Sequence, residues 1–276
     1  QVARVQPMKL AAMEGIYNGS VGQDIVGFGI LNPDSDERFE GSPMLFSIDI
    51  PKGLSWLIYG DGDHFVAGIN DLIDGRSITA RGDTVYSLSY SDKMVIGAQA
   101  REALRQYAAA REAGDSAAME FAASQVKENF QYFGYAYLPS PRAAVPPVGM
   151  TFYAFHIMVF AGGFLMLFLL VMAAASRLRP EWLKKPWLCW LGIASVAIVW
   201  ICSQSGWVLA EVGRQPWVIQ DLMPTTAAIS GIPTSSVKLT FWIFAALFTG
   251  LLIAEMSIML RYISSASKKD IETSNN

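Results

Sequence analysis

The stretch "FYAFHIMVFAGGFLMLFLLVMAAA", Phe152 to Ala175, contains no Asp, Glu, Lys or Arg and only one histidine. At about 1.5 Å of rise per residue, a helix of this length crosses the roughly 30 Å of hydrocarbon in a bilayer. Two further apolar runs, Trp187 to Ala210 and Leu239 to Leu260, are long enough to do the same. The sequence therefore predicts an all-α multi-pass membrane protein. Its membrane domain is residues 151–276, with spans at about 152–175, 187–210 and 239–260, and it is preceded by a polar segment, residues 1–150.

The average composition hides this division. The 276 residues are 52% hydrophobic and 16% charged, with a net charge of -3, yet nearly all the ordinary polar sequence lies before residue 150. Neither the charge balance nor any basic, aromatic-interleaved patch suggests nucleic acid, and no Gly-rich phosphate loop stands between a strand and a helix. Cys189 and Cys202 both fall in the second run without CxxC or Cys/His spacing, so they read as small buried hydrophobes rather than as a disulfide framework.

Loop charges set the expected topology. Arg177, Arg179, Lys184 and Lys185 follow the first span, and Arg261, Lys268 and Lys269 follow the third, whereas the loop between the second and third carries only Arg214 and Lys238. The positive-inside rule makes the first two segments cytoplasmic. Residues 1–150 are then outside the cytoplasmic membrane, as a mixed, mostly helical or irregular domain. About 150 polar residues must cross, yet the chain opens "QVARVQPMKL" without a charged n-region or apolar h-region. The expectation is the C-terminal part of a larger multi-span protein whose earlier spans deliver this segment; a cleaved signal peptide accounts for it as well.

Within the polar segment, "GSPMLFSIDIPKGLSWLIYGDGDHFVAGIND" (residues 41–71) breaks short alternating and apolar runs with Gly, Pro and Asp, as turns with short strands or irregular structure do. Apolar residues then recur every three or four positions. This spacing predicts helices at about Lys93 to Glu112 and Ser116 to Tyr132, broken at "AGDS" with Asp115 or Ser116 as the N-cap. "LPSPRAAVPPVGM" (residues 138–150) reads as an extended linker into the first span.

Several ionisable or donor residues ask for partners. Glu211 ends the second apolar run in "GWVLAEVGRQPW" (residues 206–217), and an unpaired carboxylate at a membrane edge is costly. From the residues alone, Glu211 and Arg214 form a structural ion pair or a functional site, and Trp207 and Trp217 are an interfacial aromatic belt. Met158 reads as core packing, and Lys9 with Glu14 as two solvated charges. Of the two histidines, His64 reads as a surface residue; His156 points about 200° away from Met158 on a helix, so the two cannot share one ligand. Glu255, inside the third run, suits a water or a polar contact with a neighbouring helix.

Taken in order, "MKLAAMEG" (residues 8–15), "FYAFHIMV" (152–159) and "AEVGRQPW" (210–217) resemble subunit I of the cytochrome bd quinol:oxygen oxidases. The likeness spans a long quinol-binding loop and the last three of that family's nine spans. It implies that Glu211 is an axial ligand of the high-spin haem b (b595), with Arg214 on a propionate and Trp207 between haems. It also implies that Met158 is an axial ligand of the low-spin haem b (b558), and that Lys9 and Glu14 serve quinol oxidation.

The donor chemistry is consistent with these roles. A hard carboxylate partly neutralises ferric iron, a guanidinium fork suits a propionate, and a thioether raises the potential of an electron acceptor. An ammonium can stabilise developing phenolate charge while a carboxylate accepts the proton. The spacing of Lys9 and Glu14, i and i+5, puts them about 140° apart on a helix, so convergence needs the long lysine stem or a break. The family often has Arg at the position of His156, where histidine supplies the same charge only when protonated.

The resemblance further implies haem d, a second membrane subunit (subunit II), an upstream half of subunit I, ubiquinol or menaquinol as substrate, and a proton gradient built without pumping. The alternatives are a non-enzymatic three-span anchor displaying an outer binding domain, for which spans should be apolar throughout, and a quinone-binding membrane subunit without haem.

Overall fold

The computed structural model describes residues 2–36, 41–79 and 82–274. Two short helices, α1 (Val2–Val5) and α2 (Pro7–Glu14), lead into β1 (Ser20–Val21), β2 (Ile25–Leu31), α3 (Pro33–Asp36), β3 (Met44–Ile50) and α4 (Gly53–Tyr59). Then come β4 (Phe65–Val66), α5 (Ile69–Asp74), β5 (Arg76–Ile78), β6 (Thr84–Tyr86), and the long pair α6 (Tyr90–Ala113) and α7 (Ser116–Asn129). The membrane part is α8 (Val148–Leu178), α9 (Pro186–Val212), the small strands β7 (Trp217–Ile219) and β8 (Met223–Pro224), and α10 (Thr234–Ser274). Among the described residues the strands form antiparallel pairs only: β1 with β4, β2 with β3, β5 with β6, and β7 with β8.

Three helical segments are long and apolar enough to cross a membrane: Pro141–Leu178, Pro186–Val212 and Thr234–Ser265. Each contains one of the runs expected from sequence and extends beyond it. Large apolar side chains along them are exposed, among them Leu169, Val196 and Leu252 at 63%, 71% and 58%. Exposed apolar surface on helices of this length is what membrane spans offer to lipid or to neighbouring helices.

The polar segment forms helices where local signals agree. Ser89 accepts from the Asp92 N–H and Asp92 accepts from the Ser89 N–H, a reciprocal cap that starts α6 three residues before the expected Lys93. Asp115 is the N-cap of α7, accepting from Ala117 and Ala118. Proline-rich residues 138–150 are less extended than expected: Pro141–Ala144 makes a 3-10 turn, because proline presets φ for a helical start. Helices α4 and α5 were not anticipated within residues 41–74. Each is under two full turns, too short for a helical period to emerge from the sequence.

Contacts group the chain into two compact units, Gln1–Ala228 and Ile229–Asn276. The core of the first unites both sides of residue 150. Tyr17, Ile69 and Tyr135 from the polar segment pack with Phe152 of α8 and Trp217 beyond α9, and none of the five is more than 4% exposed. Burying a Phe-sized side chain stabilises by about 1.5–3 kcal/mol. Trp217 therefore corrects the expectation of an interfacial belt: its ring meets that of Tyr135 at 5.0 Å between centroids. Cys189 is another correction. It is exposed, while Cys202 is half-buried with its sulfur 3.5 Å from the Met158 carbonyl oxygen of α8.

Asp71, 2% exposed, organises the loop crossing beneath α2. It accepts from the backbone N–H of Gly19 at 2.5 Å and Gly68 at 3.0 Å, and from Arg76 Nε at 2.5 Å. Asp71→Ala leaves these donors and the Arg76 charge without a partner, so a loss of about 3–5 kcal/mol is expected, read as a lowered thermal midpoint of the detergent-solubilised protein. A midpoint within a degree of wild type would refute it.

Candidate functional site

The end of α9 carries the first cluster. Glu211 Oε2 accepts from Arg214 Nη2 at 2.5 Å, one helical turn on, and both side chains are nearly half exposed. Arg214 Nε is buried without a partner. Lys9 reaches this pair from α2. Its stem crosses Gly213, where a Cβ would stand 3.0 Å from Lys9 Cε, so glycine leaves the lysine room. Burial, and then the Arg214 guanidinium, hold the Lys9 ammonium below the usual lysine range, while Glu211 pulls it up.

Met158 sits half-buried on α8 with its sulfur against α9; a Cβ on Gly206 would stand 3.2 Å from Sδ. Trp207 follows Gly206, 63% exposed, and lies one turn before Glu211 on the same face. The two facing helices thus present a thioether, an indole, a carboxylate and a guanidinium.

These residues fit haem. The orphaned Arg214 Nε would take a propionate oxygen, and the Met158 thioether and Glu211 carboxylate are side chains that would hold haem iron. Among the described residues no three His, Cys, Asp or Glu gather as a metal-ion site. A porphyrin supplies four of its iron's ligands itself, so it asks the protein for only one or two.

Glu14 forms a second centre. It closes α2 just before Gly15, which caps the helix at φ +66° and is hemmed in by Met44, Leu31 and Phe152. The carboxyl is 1% exposed, one oxygen takes the Val26 N–H, and Oε2 has no hydrogen-bond partner. Burial pushes it up to about 7, against the Val26 hydrogen bond. The folded carboxyl keeps its proton to about pH 7 and the unfolded one only to near 4.5, so this group's burial costs stability increasingly as pH rises between those values. Glu14 lines a cleft of about 460 Å³ with Tyr17, Val26, Met44 and Phe46.

Lys9 and Glu14 are not brought together as an ion pair. One reaches the end of α9 and the other lines the cleft, in keeping with their i, i+5 spacing. His156 and Met158 diverge as expected: His156 Nε2 lies 3.0 Å from the Val26 carbonyl oxygen of β2, whereas Met158 turns to α9. His64 is a half-exposed residue beside Asp61 at 3.1 Å, stacked on Tyr59. Glu255 is exposed on α10, in the other unit. Sequence reading missed Val26, whose contribution is its peptide group and leaves no signature in the residue type.

The chain is similar to several known proteins. The chain is 29% identical over 264 residues to the cytochrome bd-II ubiquinol oxidase subunit 1 of Escherichia coli (strain K12), covering 95% of this chain and 49% of that one. It is 28% identical over 131 residues to the cytochrome bd ubiquinol oxidase subunit 1 of Bacillus subtilis (strain 168), covering 46% of this chain and 27% of the relative. The chain thus spans at most about half the length of these relatives. Its fold is similar to the bd oxidase from Geobacillus thermodenitrificans, with a TM-score of 0.57 and 24% identity over 94% of this chain and 42% of that one. The family model for cytochrome bd terminal oxidase subunit I matches residues 1–267, nearly the whole sequence, and the chain belongs to that family.

Proposed function

We propose that this chain is the quinol-oxidising and haem-holding portion of a bd-type quinol:oxygen oxidase in a bacterial cytoplasmic membrane, with residues 1–150 on the outer side as the quinol-binding loop. The observation that carries this reading is Glu14: a carboxyl 1% exposed, with one oxygen unpartnered, lining a cleft in the polar segment. Such a group accepts a proton from a quinol hydroxyl as electrons leave, and its elevated pKa of about 7 suits a base that must later release the proton. Lys9 does not line this cleft, since its side chain reaches the end of α9; its part in the reading is an ammonium that stabilises negative charge on the quinol oxygen once the side chain swings toward Glu14.

In this reading Met158 holds the low-spin haem b558, Glu211 the high-spin haem b595, Arg214 a propionate, and Trp207 packs between haems. Bound haem, with haem d held elsewhere in the oxidase, supplies the electron acceptors and the site at which oxygen becomes water. The Glu211 carboxylate offsets one of the two positive charges beside it, Arg214 and Lys9, and Gly206 leaves space for the Met158 side chain. Protons released outside and taken up from inside build a gradient without pumping. An upstream half of subunit I and subunit II complete the enzyme, with ubiquinol or menaquinol as the reductant.

Quinol oxidation by membranes carrying the complete oxidase, wild type beside Glu14→Gln, tests the proposal. Loss of a general base is expected to lower kcat/KM by about 10²–10⁴-fold. The wild-type rate should rise through about pH 7 as the carboxyl ionises, and the residual rate of the variant should lack that rise. A wild type that oxidises no quinol, or a variant with unchanged rate and pH profile, overturns the assignment.

A further inference from the structure

Val26 is bound through both of its peptide groups by side chains from two different helices. Its N–H donates to the Glu14 carboxylate at the end of α2. Its carbonyl oxygen lies 3.0 Å from His156 Nε2 on α8, 130 residues away in sequence. The β2–β3 ladder slips between Val26 and Phe28, an irregular step of the kind that re-aims strand groups out of the ladder. His156 is itself closely packed: it is 7% exposed and its ring lies 4.0 Å from that of Phe152.

We propose that His156 is a positioning residue for Glu14: by donating from Nε2 to the Val26 carbonyl it anchors the residue whose own N–H holds the Glu14 carboxylate at the cleft. The inference rests on the reading of Glu14 as the proton acceptor in quinol oxidation. It assigns a role to His156 on geometry alone. An ordinary packed core histidine would need one hydrogen-bond partner on any neighbour. Here the partner is the same residue that binds the buried carboxylate, so a ring on a spanning helix and an acid in the polar segment are linked through the two peptide groups that meet at the Val26 Cα. Displacing the Val26 carbonyl shifts Val26 itself, which lines the cleft beside Glu14.

The test uses the complete oxidase and two readouts. Infrared difference spectra at pH 6, below the Glu14 pKa of about 7, locate the carboxyl C=O stretch as the band lost in Glu14→Gln. That band should move in His156→Leu, which removes the donor, and return in His156→Gln, whose amide N–H stands near the position of Nε2. Turnover should follow: kcat falls about tenfold in His156→Leu, recovers to within about twofold in His156→Gln, and falls no further when His156→Leu is added to Glu14→Gln.

An unmoved infrared band overturns the proposal, even in a variant with disturbed haem content, since that readout needs no turnover. So do additive losses in the double variant, which would place the action of His156 elsewhere. If Glu14→Gln itself leaves turnover unchanged, the quinol reading of Glu14 falls, and the infrared shift still decides whether His156 positions this carboxyl.

Discussion

Met158→Leu is expected to abolish the low-spin b band in the dithionite-reduced minus air-oxidised spectrum of membranes carrying the complete oxidase, and with it nearly all quinol-driven oxygen uptake. Leucine keeps the volume of the side chain and removes only the sulfur, so packing should change by less than about 1.5 kcal/mol. The site favours this isolation of effects: Met158 is half-buried against Gly206, where a branched side chain of the same size meets a glycine surface rather than another bulky residue. The remaining haem bands should persist, because Glu211 and Arg214 sit at the end of α9 and make no contact that requires the thioether. A spectrum identical to wild type would reduce Met158 to a packing residue and remove the electron entry point proposed for this span.

The second large effect concerns Glu211. It is the anion placed beside two cations, Arg214 at 2.5 Å and Lys9 across Gly213. Glu211→Gln keeps the shape and removes the charge. Arg214 then loses its ion pair, and Lys9, already lowered by burial and by Arg214, loses the one influence that raises it. The expected result is loss of the high-spin b signal together with a fall in oxygen reduction of at least about 10²-fold, with the low-spin b band retained. Removing a cation as well, in Glu211→Gln with Arg214→Gln, should restore protein yield without restoring the spectrum, because the cluster's net charge returns to its original value while the anionic carboxylate donor remains absent. Recovery of the high-spin signal in the double variant would show Glu211 to be only a counterion.

The parts of this architecture that sequence discloses are those governed by local composition. Phe152 to Ala175 announces a span because no charge interrupts it, and Asp115 announces a helix start because its side chain can take the first free N–H groups. The divergence of Lys9 from Glu14 and of His156 from Met158 was legible too, since helical geometry sets both angles. What stayed hidden depends on distant partners. Trp217 beside a span reads as interfacial until Tyr135, 82 residues earlier in the chain, is seen to pack on it. Cys189 reads as buried because its neighbours are apolar, yet apolar neighbours along a lipid-facing helix say nothing about enclosure. The burial of Glu14 depends on Leu31, Met44 and Phe152 closing around the end of α2, and no pattern within "MKLAAMEG" encodes them.

The shared core across residue 150 bears on how this family can exchange parts. Composition invites treating residues 1–150 as a cassette, to be swapped between relatives to change quinone preference. Phe152 and Trp217, however, belong to the same packed interior as Tyr17, Ile69 and Tyr135. A graft cut at the start of α8 would therefore set a donor's loop on a recipient's Phe152 and Trp217, joining two halves of an interior that were never selected to fit. A graft that keeps this interior whole must carry Phe152 and Trp217 along with residues 1–150, and therefore takes α8 and α9 with it.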